Sequence, residues 1–133
     1  MSSHYHVVVW LDHREAKVFK FNATDVDHTT VRSSHPDQHI HHKANSGDSG
    51  HAPVDSEFFK RVAQAIAQAG AILITGPANA KTELVAYIKK AQPHLAERIS
   101  GVEALDHLSD GALVALARSF FKADDRMHSQ AHR

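Results

Sequence analysis

The first part of the chain carries hydrophobic patterns typical of β-strands. A continuous apolar run from Tyr5 to Leu11 predicts a central strand that is buried on both faces of a sheet. Residues 16–21 predict a second strand, and the short polar connection at residues 12–15 predicts an antiparallel hairpin between the two. Residues 26–32 alternate only weakly, so we expect a third strand at an edge of the sheet.

From residue 55 onward, helical and strand patterns follow one another. Predicted helices span residues 55–69, 80–91 and from a Ser109 cap onward, and predicted strands span residues 71–75 and 98–105. Trp10, Phe58 and Phe59 lie in apolar stripes, so we expect them in the core. The order β-β-β-α-β-α-β-α predicts an α/β protein with a ribonuclease H-like fold, a mixed five-stranded sheet with helices on both faces.

The histidine-rich segment, residues 33–54, shows no apolar periodicity. It holds five of the 13 histidines of the chain: His35, His39, His41, His42 and His51. A stretch of this length without helix or strand pattern in a compact domain is usually functional or disordered. We therefore predict a long loop between the third strand and the first helix, and we expect it to carry the function.

Composition limits the class of protein. A length of 133 residues predicts one domain, at residues 1–126, followed by a flexible tail at residues 127–133. The chain has no cysteine, which excludes disulfides and thiolate metal sites. It lacks a signal-peptide pattern and a membrane-length apolar run, so we expect a cytoplasmic protein with no membrane partner. The oligomeric state stays open, a homodimer included.

Charge limits the partners. The net charge is zero with neutral histidine, and the sequence pI is about 7.3. A nucleic-acid-binding protein usually has a basic balance, so we expect no DNA partner, and any RNA contact must come from a local patch.

Residues 72–84 join a buried strand, a Gly76-Pro77 turn and an amphipathic helix. The spacing from Gly76 to Lys81 is one residue too short for a P-loop, and Pro77 removes an amide from the phosphate cradle. We therefore predict no nucleotide site here. Asn79 is expected to cap the helix, with Lys81 and Glu83 facing solvent.

The element order and the residues from Gly76 to Leu84 resemble the middle domain of the eukaryotic and archaeal class I release factors and of Pelota. The resemblance extends from Val7 to Phe121, with a looser match at residues 102–111, and suggests a stand-alone bacterial relative in the translational machinery. In the release factors the long loop carries Gly-Gly-Gln, which acts in peptidyl-tRNA hydrolysis at the ribosome. The present chain has no Gly-Gly-Gln, so the resemblance implies no catalytic residue, and we do not expect release activity.

The histidine-rich segment suggests two kinds of binding. For ribosome or RNA contact, basic and imidazole groups meet phosphates or stack on bases, and the candidates are Arg32, His39, His41, His42, Lys43, Gly47, Gly50 and Lys81. For metal binding, imidazoles suit Zn²⁺ or Ni²⁺, and the candidates are His39, His41, His42 and His51. Apart from zinc at these histidines, we expect no cofactor. The alternative is a solvated loop that gains charge below about pH 6.5.

Three functions are therefore in view. The leading hypothesis is a non-catalytic translation-related factor that contacts the ribosome or another RNA through the histidine-rich segment. The first alternative is a metal- or pH-responsive binding module. The second is a degenerate nuclease or hydrolase, which requires clustered carboxylates that hold Mg²⁺. Asp12 and Glu57 are its candidates. The carboxylate cluster is incomplete, because the strand at residues 71–75 ends in Thr75-Gly76 rather than in an aspartate. Asp12 is also predicted as a turn residue.

Overall fold

The computed structural model describes residues 5–34 and 55–131, with side chains of the last helix described up to Asp124. The strands are β1 (His6–Leu11), β2 (Glu15–Phe21), β3 (Val26–Arg32), β4 (Ala71–Gly76) and β5 (Ile99–Ala104). The helices are α1 (Ser56–Ala65), α2 (Ala80–Ala91), α3 (Pro93–Ala96) and α4 (Asp110–Ala131). Every predicted strand and helix is present.

The five strands form one mixed sheet in the order β3-β2-β1-β4-β5. The two pairings of the amino-terminal hairpins, β1 with β2 and β2 with β3, are antiparallel. The crossover strands pair in parallel, β4 with β1 and β5 with β4. β1 is therefore the central strand and β3 an edge strand, as the sequence predicts.

Successive residues of β1 point into two separate cores. Val7, Val9 and Leu11 pack on the face that α1 and α2 cover, together with Phe58 and Phe59. Residues 8 and 10 pack on the opposite face with the buried side of α4. Because both faces of β1 are covered, its apolar run is continuous rather than alternating. The predicted α/β fold with helices on both faces and the predicted core positions of Trp10, Phe58 and Phe59 are confirmed.

The end of α1 differs from the prediction. The helix ends at Ala65, and residues 66–68 form turns instead of continuing the helix to Ala69. The guanidinium of Arg98 donates to the carbonyl oxygens of Ala67 (3.3 Å) and Ala69 (3.2 Å), which the helix no longer pairs. The chain then enters β4 with the amides of Gly70 and Ala71 both donating to the Tyr5 carbonyl.

The last helix begins as predicted and extends further. The Ser109 hydroxyl accepts a hydrogen bond from the amide of Ala112 at 3.2 Å, which caps the first turn. Leu113, Ala117 and Phe121 are buried against the sheet. The helical backbone includes residues 127–131, which the sequence analysis assigns to a tail. The flexibility of residues 127–133 stays a prediction.

Candidate functional site at the carboxyl edge of the sheet

The carboxyl ends of the parallel strands β1, β4 and β5 lie at one edge of the sheet, together with the end of β3. In open α/β sheets this edge is the usual place for a binding site. The histidine-rich segment leaves the sheet here, after β3. Most of its residues, including His39, His41, His42, Lys43, Gly47, Gly50 and His51, lie outside the described residues, so their predicted roles stay predictions.

The two ends of this segment are joined by hydrogen bonds. The Ser33 hydroxyl donates to Oδ2 of Asp55 at 2.6 Å, across 22 positions of sequence. The other oxygen of this carboxylate, Oδ1, accepts from the amide of Phe58 at 3.0 Å and so caps α1. Ser33 is buried, and its amide donates to the Arg14 carbonyl at 2.8 Å. The segment therefore begins and ends at one fixed point.

Arg61 on α1 adds a second link. Its guanidinium donates to the Arg32 carbonyl at 2.8 Å and to the Ser34 hydroxyl at 3.5 Å. Its Nε lies 3.9 Å from the Glu57 carboxylate one turn earlier. We call Ser33, Asp55 and Arg61 the segment base. The helical pattern from residue 55 leaves the cap between Asp55 and Ser56, and no sequence pattern indicates Ser33 or Arg61, whose partners are distant in sequence.

The candidate contact residue Arg32 projects from the segment base. Its backbone is held by Arg61, whereas its side chain is 75% exposed, with Nε 3.6 Å from the Glu15 carboxylate. An exposed ion pair of this kind adds little stability. Arg14, on the adjacent β1–β2 turn, is also exposed. The edge beside the segment base therefore presents two arginine side chains to solvent.

The β1–β2 turn is held by its own aspartate. Oδ1 of Asp12 accepts hydrogen bonds from the amides of Arg14 (2.8 Å) and Glu15 (3.0 Å). The predicted turn role of Asp12 is confirmed. Glu57, the second nuclease candidate, lies beside Arg61. No group of three or more histidine, cysteine or acidic residues is close enough to hold a metal ion among the side chains that the structure describes, in residues 5–34 and 55–124.

The turn after β4 brings the backbone of two strands very close together. Gly76 has a φ of +155°, and a Cβ at this position would lie 2.1 Å from the Leu11 carbonyl oxygen. Only glycine fits this conformation and this space. The Gly76 carbonyl accepts from the amide of Leu105 at 2.9 Å. Glycine is therefore required here by the packing of β4 against β1.

Helix α2 begins differently from the prediction. Asn79 occupies the N-cap position, but its backbone is helical and its side chain makes no capping hydrogen bond. Lys81 is partly buried, and its amine donates back to the Ala78 carbonyl of the same turn. Glu83 is also partly buried and forms a 2.8 Å hydrogen bond with Nε2 of His13. Lys81 and Glu83 are therefore partly exposed, and each also has a hydrogen-bond partner at this edge.

The structure does not bring Arg32 and Lys81 together. Arg32 ends β3, whereas Lys81 follows β4, and three strand spacings separate these strands in the sheet. At about 4.8 Å per spacing, the two positions lie roughly 14 Å apart along the edge. They are better suited to separate points on an extended partner than to one small ligand.

Trp10 and His107 form a further contact at this edge. The indole Nε1 donates to the carbonyl oxygens of Leu105 (3.2 Å) and Asp106 (3.3 Å). The exposed ring of His107 stacks on the indole at a centroid distance of 4.3 Å. The indole is therefore sealed from solvent and fixes the loop between β5 and α4.

Comparison with solved structures places this architecture in a known group. The chain matches Pelota of Archaeoglobus fulgidus with a TM-score of 0.66 and 14% identity, over 98% of this chain and 37% of that one. It matches the archaeal translation termination factor aRF1 with a TM-score of 0.52 and 16% identity, over 95% of this chain and 39% of that one. A third match is Dom34 of S. cerevisiae, with a TM-score of 0.52 and 9% identity, over 95% of this chain and 38% of that one. Dom34 is described as a translation termination-like factor involved in RNA quality control pathways and interacting with Hbs1.

The chain thus spans less than two fifths of the proteins that it matches. Its fold is that of a domain of Pelota and aRF1, which confirms the resemblance found in the sequence at the level of structure. No family model matches the chain, and no curated protein matches it in sequence. No helix within residues 5–34 and 55–131 has the length and apolar character needed to cross a membrane.

Proposed function

We propose that this protein is a non-catalytic, cytoplasmic translation-related factor that contacts the ribosome or another RNA through its histidine-rich segment. The fold supports a translation-related role, since Pelota, aRF1 and Dom34 share it and the last two are described as termination or termination-like factors. The observation that carries the contact site is the segment base. It holds both ends of residues 33–54 at the carboxyl edge, between Ser33 and Asp55.

Fixing the ends of a long segment lowers the entropy that must be lost when its middle binds a partner. The segment base also places the exposed Arg32 where the segment begins. Arginine forms paired hydrogen bonds with phosphate, and imidazoles stack on unpaired bases. We therefore assign phosphate contacts to Arg32, Lys43 and Lys81. We assign stacking or hydrogen bonding with bases to His39, His41 and His42. Gly47 and Gly50 would allow the backbone to approach the RNA closely.

The balance of charge sets the strength of this contact. The chain is neutral overall, and Asp37 and Asp48 lie within the segment itself. A contact through a few cations weakens steeply as salt rises, because each neutralised phosphate releases counterions. The proposed binding is therefore weak and salt-dependent. No hydrolytic step is proposed, since the sequence holds no Gly-Gly-Gln.

Sedimentation of a cell lysate through a sucrose gradient tests the proposal. The full chain is expected to migrate with ribosomes at low salt and less so at moderate salt. Replacement of residues 35–51 by a short Gly/Ser linker is expected to return it to the top of the gradient. A chain that stays at the top in both salts would refute the proposal.

A pair of double variants tests the basic residues. Arg32→Gln with Lys81→Gln removes two positive charges at the carboxyl edge. Lys89→Gln with Lys90→Gln removes two from the exposed last turn of α2 and serves as the matched control. We expect weaker, less salt-dependent sedimentation only for the first pair. Equal effects of both pairs would show a contact governed by net charge alone.

The histidine content favours a second candidate function, a metal- or pH-responsive binding module. Five histidines lie within 17 positions, at 35–51, a density that suits divalent transition metals. Calorimetric titration with Zn²⁺ distinguishes the two. Stoichiometric binding that disappears in the double variant His39→Ala with His41→Ala would support this candidate. Binding that survives the double variant would exclude these histidines as ligands.

A further inference from the structure

A pocket of about 380 Å³ opens at the opposite edge of the sheet from Ser33 and Asp55. It lies where the start of β1, the end of β2 and the β2–β3 turn meet the middle of α4. Its volume falls within the range of small-molecule sites in proteins. No motif in the sequence indicates a binding role for this region.

Aromatic rings form one wall of the pocket. The ring of His6 stacks on Phe21 with centroids 5.8 Å apart and lies tilted against Phe121 with centroids 4.4 Å apart. Both phenylalanines are buried, so their rings hold His6 in place. His6 itself is partly exposed, and a partly exposed flat ring is a favourable neighbour for another flat ring.

Two cations on α4 form the opposite wall. The guanidinium of Arg118 lies over the Phe21 ring, 5.6 Å from its centroid, and Nη2 donates to the Asn22 carbonyl at 3.1 Å. Its Nε is buried and has no hydrogen-bond partner in the part of the chain that the structure describes. A buried donor of this kind normally has a partner, because leaving it unpaired costs free energy.

Lys122 follows Arg118 by four residues, which places both on the same face of α4. Lys122 is exposed at the rim, and no aspartate or glutamate lines the pocket among the residues whose side chains the structure describes, which end at Asp124. Within those residues, the pocket has two positive charges and no carboxylate beside them. A phosphate monoester, with a charge of about −1.5 to −2 at neutral pH, matches this pair better than a single carboxylate does.

We propose that this pocket binds a phosphate monoester attached to a flat ring, the chemistry of a nucleoside monophosphate. The phosphate bridges Arg118 and Lys122, and the Arg118 Nε donates to it. The base lies against the aromatic wall. Two sources share this chemistry, a free nucleotide and the 5′-phosphorylated end of a single-stranded RNA. The site is at the opposite edge from the segment base and does not depend on the role of residues 33–54.

Nuclear magnetic resonance titration of the full chain tests the proposal, since the Nε–H of Arg118 gives its own signal. AMP or a 5′-phosphorylated trinucleotide is expected to shift this signal and the amides of residues 21–23 and 118–122. A response to AMP alone identifies the free nucleotide as the source, and a response to the trinucleotide alone identifies the RNA end. The absence of shifts with both probes would overturn the proposal. So would equal binding of a 5′-hydroxyl trinucleotide.

Variants at Lys122 and Ala23, which are both exposed, assign the site without disturbing the core. Lys122→Gln is expected to weaken AMP binding about three- to tenfold, and Lys89→Gln, on the exposed part of α2, is the matched control. Ala23→Phe on the exposed β2–β3 turn fills the pocket and is expected to abolish binding. Arg118→Met is expected to weaken binding about tenfold or more. Unchanged AMP affinity in both Lys122→Gln and Ala23→Phe would place the ligand elsewhere and refute the assignment.

Discussion

Replacement of Gly76 by alanine is expected to destabilise the fold severely. The backbone at Gly76 has a φ of +155°, a conformation that costs an alanine about 1–3 kcal/mol. The added Cβ would also lie 2.1 Å from the Leu11 carbonyl oxygen, far inside van der Waals contact. This oxygen belongs to the backbone of the central strand, which cannot move without disturbing its pairing with both neighbours. Together the two effects predict a loss of about 3 kcal/mol or more.

Urea unfolding followed by tryptophan fluorescence measures this loss. The chain has a single tryptophan, Trp10, which is 3% exposed and reports on the core. With a slope of about 2 kcal/mol per molar urea, a loss of 3 kcal/mol lowers the midpoint by about 1.5 M. Domains usually have a free energy of unfolding of about 5–15 kcal/mol. When the unsubstituted chain lies in the upper part of this range, the variant still folds and its unfolding transition can be measured.

The same substitution at two other glycines provides the controls. At Gly111, in the first turn of α4, an added Cβ meets nothing within 4 Å, so Gly111→Ala should stabilise the fold by about 0.5 kcal/mol. At Gly101 the added Cβ lies 2.8 Å from the end of the Phe120 ring, which can shift, so we expect a loss of about 1 kcal/mol. An unfolding midpoint for Gly76→Ala equal to or above that of Gly101→Ala would refute the reasoning.

Three further predictions use the same urea assay. Asp55→Ala removes the cap of α1 and the partner of Ser33, and should lower the free energy of unfolding by about 2–3 kcal/mol. The double variant with Ser33→Ala should lose less than the sum of the two single losses, and strict additivity would show that the two side chains do not interact. Thr75→Val removes a fully buried 2.9 Å hydrogen bond to the Val9 carbonyl while keeping the shape, and should cost about 1 kcal/mol; no change in midpoint would contradict it. His13→Ala breaks the half-exposed pair with Glu83, and should lower the free energy of unfolding by less than about 1 kcal/mol. A decrease above about 2 kcal/mol would mean that the pair is more buried than the structure shows.

The sequence predicted the sheet well because burial on both faces leaves a continuous apolar run. β1 and β4 have this property, since helices cover both sides of each strand, and their predicted bounds differ from the observed ones by a single residue. β3 has mostly exposed residues and a weak pattern, which is how an edge strand differs from a central one. The end of α1 was placed four residues too late. Apolar spacing continues through Ile66, but the chain turns there, and Arg98 binds the carbonyl oxygens of Ala67 and Ala69.

The contacts that make the segment base were beyond the reach of sequence patterns. Ser33 and Asp55 are 22 positions apart, and Arg61 lies 29 positions from Arg32. Hydrophobic periodicity reports on neighbours within a helix or strand, whereas these contacts depend on the order of strands in the sheet. The pocket at the opposite edge was missed for the same reason, because Arg118 meets Asn22 across 96 positions.

The acidic residues near the carboxyl edge bear on the hydrolase alternative. Metal-dependent hydrolysis needs carboxylates that converge on one point and keep free oxygens for a cation. Five acidic residues near this edge already have another partner. Asp12 accepts from the amides of its own turn, Glu15 pairs with Arg32, Asp55 binds Ser33 and an α1 amide, Glu57 pairs with Arg61, and Glu83 pairs with His13. These pairings spread the acids along the edge and use them to fix turns. Beside the segment base, the side chains exposed to solvent include Arg14 and Arg32, and arginine is well suited to bind phosphate.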